Sequence, residues 1–268
     1  MTDQMIAELV TLQQHGHIAE IVLNRPEKRN AMNHALMMQL GAAVDEAEKL
    51  HGIRVILIRG EGVCFSAGVD LMGFMQMHEH MGDNWRDNLF PLTQLYQGVL
   101  NKIERSTYPV IALLHKYCLG LGMELALACD FRIAAEGTRL GLPEARLGLI
   151  PDVGGTTRLT RLVGQARAKE LIMTGRDFDT EVAERWGIVN RVVAQEDLWE
   201  AGRALADELA AAAPLAVSYA KKVIDGIADI DRGLQLEAWA QSILIRSEDF
   251  ANGAQAMMLK QTPEWKGK

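Results

Sequence analysis

Cysteine is scarce in this 268-residue chain: there are three, Cys64, Cys118 and Cys129. An odd number with no C-x-x-C pair argues against a disulfide framework and against a zinc cluster built on thiolates, and it fits a reducing compartment. Positive charge is also short. Lys and Arg total 28 against 35 Asp and Glu, a formal net charge of −7, which speaks against general binding to a nucleic-acid backbone. No apolar run approaches the ~20 residues of a membrane span, and Met1 to Val10, carrying Asp3 and Glu8, has no signal-peptide core. The expectation is a cytoplasmic protein with neither nucleic acid nor membrane as partner. Proline is limited to seven residues, and no Gly/Ser-rich or charge-block linker divides the chain. What is abundant is apolar side chain, 49% of residues, together with 24 glycines. That is enough for one large domain or two small ones with a buried site.

The pattern along the chain is α/β first and α-rich afterwards. Glu8–Gln14 and Ile18–Asn24 alternate and are joined by His15-Gly16-His17, which predicts a β-hairpin. Asn30-Ala31-Met32-Asn33 offers a cap to a helix whose apolar face is Leu36, Met37, Leu40, Val44, Ala47 and Leu50. Val55–Gly60 and Pro109–Leu114 are short apolar runs, expected as strands buried on both faces. Met72 to Asn88 has no clean period and is expected to be an irregular loop. Met123–Cys129 predicts a helix and Phe131–Ala135 a strand. From Gln195 onward the period is helical to the end, with Leu236, Trp239 and Ile243 on an apolar face. A soft boundary is therefore placed near residue 195, giving a core over 1–195 and a helical region over 196–268.

Glycine is placed unusually at two points, each after a buried strand: Ser66-Ala67-Gly68-Val69-Asp70 and Gly120-Leu121-Gly122-Met123-Glu124. Such turns bend the backbone sharply and present free N–H groups, which suits an oxyanion; tight packing selects the same glycines. Glu124 is the single acid between Leu119 and Cys129. A glutamate there is either functional or a favourable partner of the helix dipole. The Gly/Pro-punctuated segment Gly141–Asp152 adds Glu144 and Asp152. Acids gathered near an apolar pocket have their pKa values pushed apart, as acid–base work at neutral pH requires.

These segments resemble the enoyl-CoA hydratase/isomerase (crotonase) family. The two glycine turns carry the resemblance, with Pro143-Glu144, Leu147-Gly148-Leu149-Ile150-Pro151-Asp152-Val153-Gly154-Gly155-Thr156, the N-terminal Asn24-Arg25-Pro26-Glu27-Lys28-Arg29-Asn30-Ala31, and Ser247-Glu248-Asp249-Phe250 with Gly253, Lys260 and Pro263. It covers nearly the whole chain. The fold it implies is α/β, a crotonase-like spiral of ββα repeats followed by a helical C-terminal trimerisation region, as a homotrimer or a dimer of trimers. It assigns the oxyanion hole to the backbone N–H groups of Val69 and Leu121. It gives Glu124 and Glu144 the two catalytic carboxyls, Glu124 activating water for attack at C3 and Glu144 delivering a proton to C2. The substrate is an acyl-CoA thioester, so coenzyme A belongs to the substrate and no separate cofactor is implied. Lys28, Arg29 and Ala31 are assigned to the 3′-phosphate and adenine, and Ala67, Val69, Asp70 and Leu71, beside Gly120, to the pantetheine path. Leu121 departs from the small residue usual there, so its side chain points away from the acyl channel or narrows it. Asp152 has two readings. It takes part in double-bond isomerisation, as in some family members, or it caps the helix starting near Gly154-Gly155-Thr156, the reading preferred here. The His15/His17 and His78/His80 pairs lack a third ligand and are read as surface residues, with no metal site. Met72, Met75, Met77 and Met81 suit the wall of an acyl pocket.

Overall fold

A computed structural model of the chain describes residues 8–75, 89–227, 243, 247–259 and 261–268. His78, His80, Met77, Met81, Leu236 and Trp239 lie outside the described residues.

The chain opens with strands β1 (Val10–His15) and β2 (Ile18–Leu23), paired antiparallel across a two-residue turn in which Gly16 has φ 62°. His15, placed in the loop by the sequence, is the last residue of β1. Helix α1 (His34–Ala47) follows, with the Asn33 side chain accepting the Leu36 N–H at its N-terminus. Strand β3 (Val55–Gly60), the short helix α2 (Leu71–Met75) and helix α3 (Leu89–Glu104) come next. Then come β4 (Val110–Leu114), β5 (Tyr117–Leu119), α4 (Leu121–Ala128), β6 (Phe131–Ala135) and β7 (Arg139–Gly141). A 3-10 turn (Pro143–Leu147) leads to α5 (Gly155–Thr174), α6 (Thr180–Arg185), β8 (Arg191–Val193), α7 (Leu198–Ala210), α8 (Pro214–Gly226) and α9 (Glu248–Leu259).

Six strands form one sheet in the order β1-β2-β3-β4-β6-β8, parallel except for the β1–β2 hairpin. A second, narrower layer is built from β5 and β7 and extended by single bridges, Met32 to Val69, Ser66 to Cys118 and Leu140 to Phe178. After β2, β3, β4 and β6 the chain thus crosses from the first layer to the second, and a helix or helical turn leads it onward. That repeated step is a spiral of ββα turns.

Alternation along the central strands buries both faces of the large sheet. Ile56, Ile58, Val110, Ala112 and Leu114 face the main core under α1, α3 and α4, whereas Val55, Leu57, Ile111 and Leu113 face a second cluster completed by Leu198, Leu205 and Ala206 of α7. Each such Leu, Ile or Val contributes roughly 1.5–3 kcal/mol on burial. All eight residues of α4 are buried, Glu124 included. The C-terminus corrects the sequence reading: residues 261–268 are not helical. Pro263 cannot continue a helix, and the tail instead turns back so that the Lys266 and Gly267 N–H groups reach the buried carboxylate of Asp249.

Candidate active site

The site grows out of two stapled loops and the start of α4. Arg29, Met32 and Ser66–Asp70 are joined by backbone bonds: Ala67 N–H to Arg29 O at 3.0 Å, Met32 N–H to Gly68 O at 2.8 Å and Asp70 N–H to Met32 O at 2.9 Å. Buried Asn30 ties this pair to the strand end, its Nδ2 donating to Glu61 O and Cys64 O. The two bonds to Met32 flank Val69 and turn the Val69 N–H to the side away from Met32. Leu121 is the first residue of α4, so its N–H is one of the donors a helix start leaves unpaired.

The two turns touch through their glycines. Gly68 has φ 99°, and a Cβ there would lie 2.8 Å from Leu119 O and 3.6 Å from Gly120 Cα. Gly120 has φ 52°, and a Cβ on it would come 3.0 Å from Glu144 Oε1. Only glycine permits both the positive φ and the close approach. Leu121 is 4% exposed and packs in the main core, so its side chain points into the core.

Glu124, 2% exposed, is held by one oxygen: Oε1 accepts the N–H groups of Val153 and Gly155, both at 2.8 Å. Among the described residues no protein group takes Oε2. Burial above all pushes the Glu124 carboxyl up to about 8, the charges of Glu144 and Asp152 adding to the effect against the two amide donors. Glu144 is half-buried on the 3-10 turn, and its enclosed Oε2 meets no partner among the described residues. Burial raises its pKa too, and the Asp152 charge raises it further against its own backbone N–H. Two carboxyls with no cation partner among the described residues thus flank the glycine turn. Such a pair retains a proton into the neutral range.

Asp152 does not cap α5. The N-cap is Gly154 with φ 108° and no side-chain bond, while the exposed Asp152 carboxylate accepts from Thr93 Oγ1 at 2.7 Å. A left-handed residue at the N-cap leaves Asp152 two residues too early, and α3 supplies a hydroxyl instead. Lys28 and Arg29 are exposed on the loop rim, and Ala31 and Ala67 are half-buried behind them. Leu71 and Met72 are 49% and 70% exposed at the start of α2. Asp70 is already engaged, its carboxylate accepting from Arg25 Nη1 at 2.6 Å and from Gly73 N–H at 3.2 Å. Burial alone raises its pKa, and these bonds outweigh that to hold it low. Val153 and Gly155, the donors to Glu124, were not singled out from sequence; the Gly154-Gly155 pair was the available signal. Among the described residues no group of three His, Cys, Asp or Glu side chains is placed to hold a metal, and no helix is long and apolar enough to cross a membrane.

The family described as enoyl-CoA hydratase/isomerase matches residues 13–268. The chain is 37% identical over 270 residues to the carnitinyl-CoA dehydratases of Salmonella typhi and Citrobacter koseri, covering 98% of this chain and 100% of theirs. Among solved structures it resembles an enoyl-CoA hydratase from Bacillus anthracis, with TM-score 0.89, 36% identity and coverage of 97% of this chain and 100% of that one. It also resembles an enoyl-CoA hydratase from Polaromonas sp. JS666, with TM-score 0.88, 27% identity and coverage of 96% and 99%.

Proposed function

The chain belongs to the enoyl-CoA hydratase/isomerase family, and from that premise we propose that it adds water reversibly to a trans-2-enoyl-CoA, giving the 3-hydroxyacyl-CoA. The observation that carries this reading is the pair of partly unpartnered carboxyls, Glu124 and Glu144, on either side of the Gly120 turn. In the reaction the thioester oxygen lies between the Val69 and Leu121 amides, which stabilise the enolate as charge moves onto it. Water bonds to C3 and gives up a proton to one carboxyl, while the other returns a proton to C2. The family assignment gives the water to Glu124 and the C2 proton to Glu144. The Glu124 pKa of about 8 makes the pair a shared store of one proton, so both directions of the reaction find an acid and a base in place. Lys28, Arg29 and Ala31 contact the nucleotide end, and Ala67, Asp70 and Leu71 line the path to Gly120. Coenzyme A enters with the substrate. Assembly as a homotrimer or a dimer of trimers, measured by sedimentation, belongs to the same proposal.

The carnitinyl-CoA dehydratase relatives support including 3-hydroxyacyl-CoA substrates and the dehydration direction in any assay. A panel of short, long, branched and 3-hydroxylated acyl-CoA thioesters, followed by product mass, tests the reading. Hydration adds one water, dehydration removes one and isomerisation changes nothing. Glu144→Gln is expected to lower turnover by about 10²-fold or more. Full activity in that variant on every substrate removes Glu144 from the chemistry. Double-bond migration through Asp152 is the second reading, resting on the Asp152 charge felt by both glutamates; a product of unchanged mass establishes it.

A further inference from the structure

Glu124 is positioned from a distance. One of its two donors is the N–H of the Asp152–Val153 peptide, and the carbonyl of that same peptide accepts Nε2 of Gln97 at 2.6 Å. Thr93 holds the Asp152 side chain at 2.7 Å. Further along α3, Asn101 Oδ1 and Glu104 Oε2 accept from Arg158 Nη2 at 2.7 and 2.8 Å, and Arg158 Nη1 donates to Val153 O at 3.1 Å. Residues 93, 97, 101 and 104 are spaced four, four and three apart, which places them on one face of the helix. The 152–155 loop is therefore gripped on both carbonyls adjoining the Val153 amide by side chains belonging to, or held by, one stripe of α3.

We infer that Gln97 is a positioning residue for Glu124: by fixing and polarising the Asp152–Val153 peptide it sets the direction and strength of the N–H that holds the carboxyl, with Thr93 as a second hold on the same loop. A hydrogen bond to a peptide oxygen strengthens the donor at the other end of the amide, since bonded chains polarise one another. The bond favours the carboxylate over the protonated form, so weakening it moves the Glu124 titration upward. The charges that act on Glu124 are those of Glu144 on the 3-10 turn and Asp152 on the loop, while Arg158 and Arg161 of α5 both face Glu104 of α3.

The effect on turnover rests on the water-adding function proposed above; the effect on titration does not. Gln97→Met keeps the side-chain length and removes the donor. In carbon-13 NMR of the substrate-free protein labelled at its glutamate carboxyls, with Glu124→Gln identifying the resonance, the Glu124 midpoint in Gln97→Met is expected to rise by about half a pH unit or more. In steady-state hydration the same variant is expected to lose about tenfold in kcat with KM within about twofold. Thr93→Val shows a smaller loss of the same kind, and Thr93→Ser, which keeps the hydroxyl, restores wild-type kcat. A folded Gln97→Met protein with an unmoved Glu124 midpoint overturns the inference, whatever its activity, as does a variant whose KM rises while kcat stays. If Gln97→Met does not fold, Thr93→Val and Thr93→Ser decide by the same kcat comparison. A wild-type protein that adds no water overturns the proposed function, and the NMR titration still decides the role of Gln97.

Discussion

The two ends of α4 carry two acids, buried Glu124 and half-buried Asp130, in opposite circumstances. At its start Glu124 is held by two amides and meets no cation among the described residues. Just beyond its end Asp130 accepts Lys221 Nζ at 2.7 Å and the Val110 N–H at 2.7 Å, while Lys221 also donates to Tyr108 O at 3.1 Å. Burial raises the Asp130 pKa, and the ammonium and its hydrogen bond pull it back; for Glu124 burial is reinforced by two more carboxylates and reaches about 8. The contrast distinguishes an acid that holds structure together from one kept able to exchange a proton. Where the fold needs only cohesion it supplies the counter-charge, and where the proposed chemistry needs a movable proton it withholds it.

The largest expected effect comes from breaking the cohesive end. Lys221→Met leaves the half-buried Asp130 without its partner and is expected to cost about 3 kcal/mol of stability in denaturant melts. Asp130→Asn added to it should recover part of that loss. The opposite response is expected at the other end. Glu124 has an ordinary carboxyl pKa of 4.5 when unfolded and about 8 when folded. Its protonated form is therefore the one the fold favours, with full stability below about 4.5 that is lost as pH rises through about 8. Glu124→Gln removes this loss, so its melting temperature relative to wild type should climb between about pH 5 and 9 and then level off. A difference that stays flat with pH means Glu124 ionises freely. The smallest effect sharpens the contrast: Asp152→Asn deletes a negative charge that raises both glutamates, and the pH profile of turnover should shift downward with little change in stability.

Much of the fold is legible because its strands have strong local patterns. Val55–Gly60, Val110–Leu114 and Phe131–Ala135 are short, apolar and bounded by turns, and the strands fall where the pattern predicts. Helix α4 begins at Leu121 rather than Met123 because the positive φ of Gly120 lets the first turn close directly after it, something periodicity does not register. The spiral itself came from the family resemblance and not from the pattern, since the second layer is made largely of single bridges such as Met32 to Val69. Sequence alone suggests a cap at Asp152 because a cap is a local feature; Thr93, its partner, lies 59 residues away on α3. Separation in sequence also hid Gln97, 55 residues from Asp152, and the Val153 and Gly155 donors, 29 and 31 residues from Glu124. What the sequence shows well is which acids stand in apolar surroundings, and what it hides is which backbone amides come to meet them.

The proposed chemistry turns on water reaching C3 between Glu124 and Glu144. Incubation of the protein with a 2-enoyl-CoA that it turns over, in water carrying heavy oxygen and deuterium, tests this most directly. The predicted product is a 3-hydroxyacyl-CoA with one labelled oxygen at C3 and one deuterium at C2, formed by wild type and lost in Glu144→Gln. An isomer of unchanged oxygen content, or free coenzyme A with labelled acid, would contradict it.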